Sequence, residues 1–247
     1  MNEVNSSLIA RSAVYRILSL GFAYPEREIL DFLRERLAGK LKESLRFLPE
    51  SYREGLAPAM ESLERARVFA DELEGEYERL FRAELLSTPY ETEYDPMASV
   101  RKGQELADIL GFYRAFGLGP SKRRKELPDH IAVELEFMSL LLQKEAYARL
   151  NGWSEKVEVS IDAQRKFLRD HLAIWVFNFC DRVEQNSRLE LYRSLGGLLR
   201  KFTELELKEL GVEPLRLESA FLPSETGELF SCPFSRASPV DLSSLKS

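Results

Sequence analysis

The sequence predicts an all-α protein: eight or nine helices in one bundle-like domain, followed by an irregular C-terminal tail. Three observations lead there. Apolar residues recur every three to four positions along most of the chain, as in helices with one buried face. No period-two strand pattern of useful length interrupts them. The 247 residues are 44% hydrophobic and 31% charged, an ordinary globular composition with enough chain for one sizeable core.

The elements follow in order. Ser6 or Ser7 can cap a first helix to about Leu20, with Leu8, Val14, Ile17 and Leu18 inward and Gly21 as its stop. Pro25 opens a second helix carrying Ile29, Leu30, Leu33 and Leu37, ended by Gly39. A short helix spans about Leu41–Leu48, and Pro49, Gly55 and Pro58 punctuate the next connection. The spacing of Phe69, Leu73, Tyr77 and Leu80 predicts a third main helix from about Ala59 to Phe81. Tyr77, Leu80 and Phe81 form an aromatic end to it, readable as core packing or as a binding surface.

Leu86–Ala98 is a loop, unusually aromatic and acidic, with Tyr90, Glu91, Glu93, Tyr94 and Asp95. Its tyrosines either pin it to the core or serve a site, since loops on a rigid scaffold commonly carry function. Ser99 caps a helix to about Phe116. Gly117, Gly119 and Pro120 then break the chain ahead of the basic run Lys122-Arg123-Arg124-Lys125, which reads as solvated.

Leu127–Leu142 is the organising helix. Pro128 fits its first turn, and Ile131, Leu135, Met138 and Leu142 make an apolar face. Asp129 and His130 sit at its mouth, where free N–H groups gather. They read as a cap or as a site. His130 and Glu134 are one turn apart on the same face. Ser154 to about Gln185 is helical in two pieces, and its second piece is apolar nearly all round. The last helix spans about Ser187–Leu210, with Gly211 as a stop. The helical domain is expected over 1–212 and the tail over 213–247. Gly211 to Ser247 holds eight serines and four prolines.

Charge narrows the function. The net charge of −6 argues against nucleic acid as a partner, because phosphate binding depends on lysine and arginine. Asp71–Asp95 holds nine acids and two bases, −7 in 25 residues, so the rest is nearly neutral. The run is either a solvated face or an acidic surface suited to a basic peptide. No segment approaches the ~20 uncharged apolar residues of a membrane span. The run Leu8–Tyr24 is broken by Arg11 and Arg16 and lacks the order of a secretion signal. A cytoplasmic location without membrane insertion is therefore expected. Cys180 and Cys232 are the only cysteines, which fits a reducing compartment and excludes a disulfide framework or a cysteine zinc site.

Catalytic signatures are missing. There is no phosphate loop, no dinucleotide fingerprint and no nucleophile elbow. His130 and Glu134 could give a metal two ligands, but no third is at hand. No enzyme activity, metal or cofactor is expected, and a peptide-binding module fits better.

Several pieces then resemble one family together: Tyr77-x-x-Leu80-Phe81, Pro89-Tyr90-Glu91 with Tyr94, Pro128-Asp129-His130 with Glu134-Leu135-x-Phe137-Met138, and Phe167-Leu168-x-x-His171-Leu172-x-x-Trp175. In that order and spacing they resemble the TorD/DmsD/NarJ family of redox-enzyme maturation chaperones, in register from about Leu8 to Leu210. The resemblance implies a cytoplasmic all-helical chaperone of TorD-like fold. Such a chaperone binds the N-terminal leader of a molybdopterin oxidoreductase subunit, often a twin-arginine signal peptide, and holds it back until its cofactor is inserted. It implies a groove at Tyr77, Leu80, Phe81, Gly103, Asp129 and His130; tyrosine stands at 77 where close relatives carry tryptophan. In that groove the aromatic cluster would take the leader's apolar stretch, and Asp129, Glu91 and Glu134 could accept arginine bidentately. Tyr90 and Tyr94 join them from the loop. Asp129 could equally be a helix cap, and Glu134 an internal hydrogen-bonding group. Two alternatives remain at this stage: a guanine-nucleotide-binding protein, suggested by some relatives, and a metal-dependent helical hydrolase using His130 and Glu134. A homodimer by helix exchange is compatible with a loosely hinged bundle.

Overall fold

The structure, a computed structural model, describes residues 3–66, 70–95, 98–119 and 126–214. Its most extensive helix pair is α1 (Glu3–Gly21) with α7 (Ile131–Leu150). Both are apolar on broad faces and carry small residues at their contact. Ser12 and Ser139 exchange hydrogen bonds to each other's carbonyls at 3.0 and 2.9 Å, and Ser19 donates to the Ala132 carbonyl at 2.7 Å. These pairs fix the two helices antiparallel and bring their backbones close.

Between them the chain forms α2 (Arg27–Glu35), α3 (Leu37–Leu45), α4 (Glu50–Arg65), α5 (Ala70–Tyr77) and α6 (Ala98–Ala115). α5 continues as a π turn over Glu78–Ala83, and a short 3-10 turn covers Glu91–Glu93. After α7 come α8 (Ser154–Phe167), a second π turn (Leu168–Leu172), α9 (Ala173–Asn186) and α10 (Glu190–Leu210). The described residues thus hold ten α-helical segments. α8 and α9 join through their π turn into one run, so nine separate helices remain, as expected. α10 packs on α4 and α9, and α8 on α7. Gly211 closes α10 at φ +63°, with the Val212 N–H reaching back to the Leu207 carbonyl at 3.0 Å, a Schellman stop.

Several expected boundaries are corrected. Gly39 lies inside α3, and the break falls at Arg36 instead. Gly55 and Pro58 do not interrupt a connection; both lie inside α4. Burial of Tyr52, Leu56, Met60 and Leu63 outweighs the proline penalty, and Pro58 is on the exposed side where water can serve the freed carbonyl. The single helix expected over 59–81 is two, parted after Arg65. Phe69, the basic run 122–125 and the tail from 215 onward lie outside the described residues, as does Cys232.

Candidate functional site at the start of helix α7

The organising helix begins three residues later than its proline suggests. Ile131 is its first residue, and His130 is the N-cap, its Nδ1 accepting from the Ala132 N–H at 3.1 Å. Nδ1 is thus the acceptor, and a proton on the neutral ring sits on Nε2. The cause of the delay is the loop across from it. Glu91 N–H donates to the Asp129 carbonyl at 3.0 Å, and Ile131 N–H to the Pro89 carbonyl at 2.8 Å. This antiparallel bridge between Tyr90 and His130 holds residues 129–131 extended, so Pro128 stays outside the helix.

The reading of Asp129 as the helix cap is corrected by this geometry. Its carboxylate turns to the loop, where Oδ2 accepts from the Thr92 hydroxyl at 2.6 Å and the Thr92 N–H at 3.3 Å. Asp129, His130, Glu91 and Glu134 are all buried. They form the edge of a polar core in which Glu134 accepts from Trp175 Nε1 at 3.3 Å. Glu91 Oε1 meets His171 Nδ1 at 3.1 Å. His171 Nε2 lies 3.3 Å from Asp108 Oδ2 without hydrogen-bond geometry.

Glu91 Oε2 and Glu134 Oε1 have no donor among the protein groups. A proton carried by Glu134 satisfies both. Burial first, then the Glu91 charge and the hydrogen bond shared with it, hold the Glu134 carboxyl well above the usual carboxylate range. Burial opposes protonation of His171, but its hydrogen bond and charge contact with Glu91 win and raise it. Nearby in α6, Glu105 is pushed up to about 7 by burial and by its hydrogen bond and repulsion with Asp95. Glu91, Asp129 and Glu134 are internal groups and are not presented to an incoming arginine.

The aromatic end of α5 is also placed inside. Tyr77, Leu80 and Phe81 are each at most 1% exposed. Phe81 packs on Phe22, Phe179, Tyr192 and Tyr77. These residues build the floor of the site rather than an open aromatic groove, because the π turn winds Leu80 and Phe81 into the core. Tyr94, half-buried, packs on Trp175 and donates to the Thr88 carbonyl at 2.9 Å, pinning its loop. Gly103 is exposed on α6, with open space where a Cβ would stand.

What reaches the surface is a set partly missed by sequence reasoning. Tyr24 and Tyr90 are half-buried, Tyr24 stacks edge-on against Tyr77, and Tyr90 against His130. Tyr90 donates to Glu126 Oε2 at 2.9 Å. Arg82 lies over the Tyr24 ring at 4.4 Å and reaches Glu126 Oε1 at 3.2 Å. Leu85, at φ +48°, reverses the chain after this turn so that Ser87 N–H meets the Leu80 carbonyl at 3.0 Å. Beside Glu126 opens a groove of about 680 Å³ between α6 and α7, lined by Leu110, Tyr113, Leu118, Val133, Phe137 and Leu140. The signals for Tyr24, Arg82 and Glu126 were weak: one tyrosine after a helix stop, one base in an acidic run, one acid after a basic run. His171 and Trp175 carried a stronger one, as polar tips in an otherwise apolar segment.

No cluster of three metal-ligating side chains occurs among the described residues. His130 Nδ1 is engaged by its helix and Glu134 faces Glu91 and Trp175, so the two do not open a common metal face. Cys180 is buried, which pushes its thiol far above the reactive range.

The model of the nitrate reductase delta subunit family matches residues 45–181, more than half of the chain. The chain belongs to this family, that of the TorD/NarJ chaperones. Among curated relatives, the perchlorate reductase assembly chaperone protein of Dechloromonas aromatica is 30% identical over 85% of this chain and 93% of its own length. The chlorate reductase assembly chaperone protein of Ideonella dechloratans is 33% identical over 44% of this chain and 54% of its own. TorD of Vibrio atlanticus is 27% identical over 51% and 57%, so these two alignments span about half of each partner. A solved structure of a candidate redox enzyme maturation protein from Archaeoglobus fulgidus aligns at 24% identity with a TM-score of 0.47, covering 78% of this chain and 93% of that one. By kinship the chain is a chaperone and not an enzyme. Among the described residues, no helix is long and apolar enough to cross a membrane.

Proposed function

We propose that this chaperone binds the N-terminal leader of a molybdopterin oxidoreductase subunit in the cytoplasm and holds it through cofactor insertion and assembly. The relatives named as perchlorate and chlorate reductase assembly chaperones support the class of client. The observation that carries the site is Glu126, which belongs at once to the tyrosine-lined patch and to the apolar groove. A leader is a basic segment followed by an apolar stretch, and the two features stand side by side in that order. The groove between α6 and α7 takes the apolar stretch, as such grooves take amphipathic or extended segments. Tyr90, His130 and the loop bridged to them form the rim. The buried groups Tyr77, Leu80, Phe81, Asp129, Glu91 and Glu134 act beneath, by fixing the loop and the first turn of α7.

Calorimetric titration with the synthetic peptide Ser-Arg-Arg-Ala-Phe-Leu-Leu-Ala-Leu-Ala tests this reading. Saturable binding is expected, weakened at least about tenfold by Val133→Asp, which places a charge in the groove without touching the core of the loop. Absence of binding, or equal binding by the variant, contradicts it.

A further inference from the structure

The surface patch is built like a receptor for an arginine side chain, and one of the protein's own arginines occupies it. The Arg82 guanidinium lies over the Tyr24 ring at 4.4 Å and 5.7 Å from the centre of the Tyr77 ring. Its NH2 meets Glu126 Oε1 at 3.2 Å. The other oxygen of that carboxylate is held by the Tyr90 hydroxyl at 2.9 Å, so the acid is oriented before any ligand arrives. An aromatic face beside a fixed carboxylate is the pairing that guanidinium groups favour, through cation–π attraction and charge-assisted hydrogen bonds.

Arg82 is held loosely in this cage. Its side chain is 46% exposed, and an exposed ion pair or cation–π contact each contributes a factor of about five or less. It also has a second place to go. Glu78, one turn earlier on the same helical stretch, lies 3.3 Å from its NH1. A guanidinium arriving at Glu126 leaves Arg82 paired with Glu78 rather than stranded.

We infer that Tyr24 and Glu126, over a floor set by the buried Tyr77 ring, form a subsite for an arginine of the bound peptide, and that Arg82 is a built-in competitor which that arginine displaces. This rests on the leader-binding reading and adds the recognised group and a brake on its affinity. The brake makes the site selective, because a peptide lacking a guanidinium cannot replace what Arg82 supplies.

The test uses the peptide Ser-Arg-Arg-Ala-Phe-Leu-Leu-Ala-Leu-Ala, fluorescein-labelled, and its counterpart with both arginines replaced by the neutral isostere citrulline. Anisotropy titrations compare the parent, Arg82→Gln and Glu126→Gln proteins, with circular dichroism to verify that each is folded. Arg82→Gln is expected to bind the arginine peptide about five- to twentyfold more tightly, with the citrulline peptide unchanged. Glu126→Gln is expected to erase the preference for arginine. Unchanged or weaker binding of the arginine peptide by Arg82→Gln overturns the inference. If all three proteins bind both peptides equally, the cage falls and leader binding stands. If no protein binds either peptide, both readings fall.

Discussion

Arg11 and Glu206 meet in the core with every charge answered: the guanidinium makes two parallel bonds to the carboxylate at 2.7 and 2.8 Å, and Tyr52 adds a third at 2.8 Å. Under the start of α7 the arrangement is reversed. Glu91, Asp129 and Glu134 are buried together with His171 set against Glu91, Asp129 Oδ1 has no donor among the protein groups, and Glu91 and Glu134 depend on the one proton that Glu134 carries. The first cluster ties α1 to α10 and keeps Arg11 charged, since burial opposes the Arg11 charge but Glu206 more than restores it. The second holds the loop at 89–92 with two groups, Glu134 and His171, whose proton affinity folding raises. The contrast separates a device for stability from one kept in adjustable balance, which local-stability arguments lead one to expect where a partner docks.

The largest effect comes from breaking the satisfied cluster. Arg11→Ala leaves Glu206 buried and unpaired, and is expected to cost about 3–5 kcal/mol. The thermal midpoint would fall by at least ~6 °C for a chain of this size. Scanning calorimetry checks it, and a loss under about 1 kcal/mol would place the two clusters on the same footing.

A smaller loss is expected from Thr92→Val. It removes the hydroxyl that donates to Asp129 at 2.6 Å and costs about 1.5–3 kcal/mol, as for hydrogen bonds to charged groups. Urea denaturation measures it, and hydrogen exchange should quicken in the loop before it does in α1 or α10.

The third prediction concerns pH. A carboxyl raised by folding is protonated in the native state and ionised in the unfolded one, so stability falls as pH rises from its unfolded value through its folded one. Glu134 and Glu105 act in this way, Glu105 between its ordinary 4.5 and about 7. The raised His171 has the same sign: its contribution is complete below about 6.5 and is lost as pH rises through the folded value. Glu76 has the opposite sign and matters only at acid pH: burial opposes its charge, but hydrogen bonds from Arg79, Arg188 and Ser187 lower it. The urea midpoint of the parent should therefore decline between pH 5 and 8. Glu134→Gln, which mimics the protonated acid, should raise the midpoint at pH 8, leave it nearly unchanged at pH 5, and flatten the decline. An equal shift at both values would contradict the shared proton.

Much of this was legible in the chain. The apolar spacing of Leu8–Leu18, Ile131–Leu142 and Leu191–Leu205 marks helices that exist, because burial of a face dictates both pattern and element. Gly211 reads correctly as a stop because only its left-handed backbone is needed there. Pro58 and Gly39 misled, since the helices around them are held by packing that local propensity does not record. At the site, Asp129 and His130 were visible as a polar pair, but their roles were not. The loop at 89–91 sets them, and it pairs with residues forty positions away. The two π turns had no sequence signal, yet one aims Arg82 at Tyr24 and the other carries His171 to Glu91. Such insertions are frequent at functional sites because they re-aim side chains within a helix.

The central claim is that a partner's leader is read at the start of α7 and in the groove beside Glu126. Hydrogen–deuterium exchange of the full chain, with and without the arginine peptide, tests it most directly. The prediction is slowed exchange over residues 88–94, 110–118 and 126–137, with α4 and α10 unchanged. Protection confined to a second groove, of about 360 Å³ and lined by Ile9, Phe32 and Phe47 beside α1 and α3, would contradict the claim, as would no protection at saturating peptide.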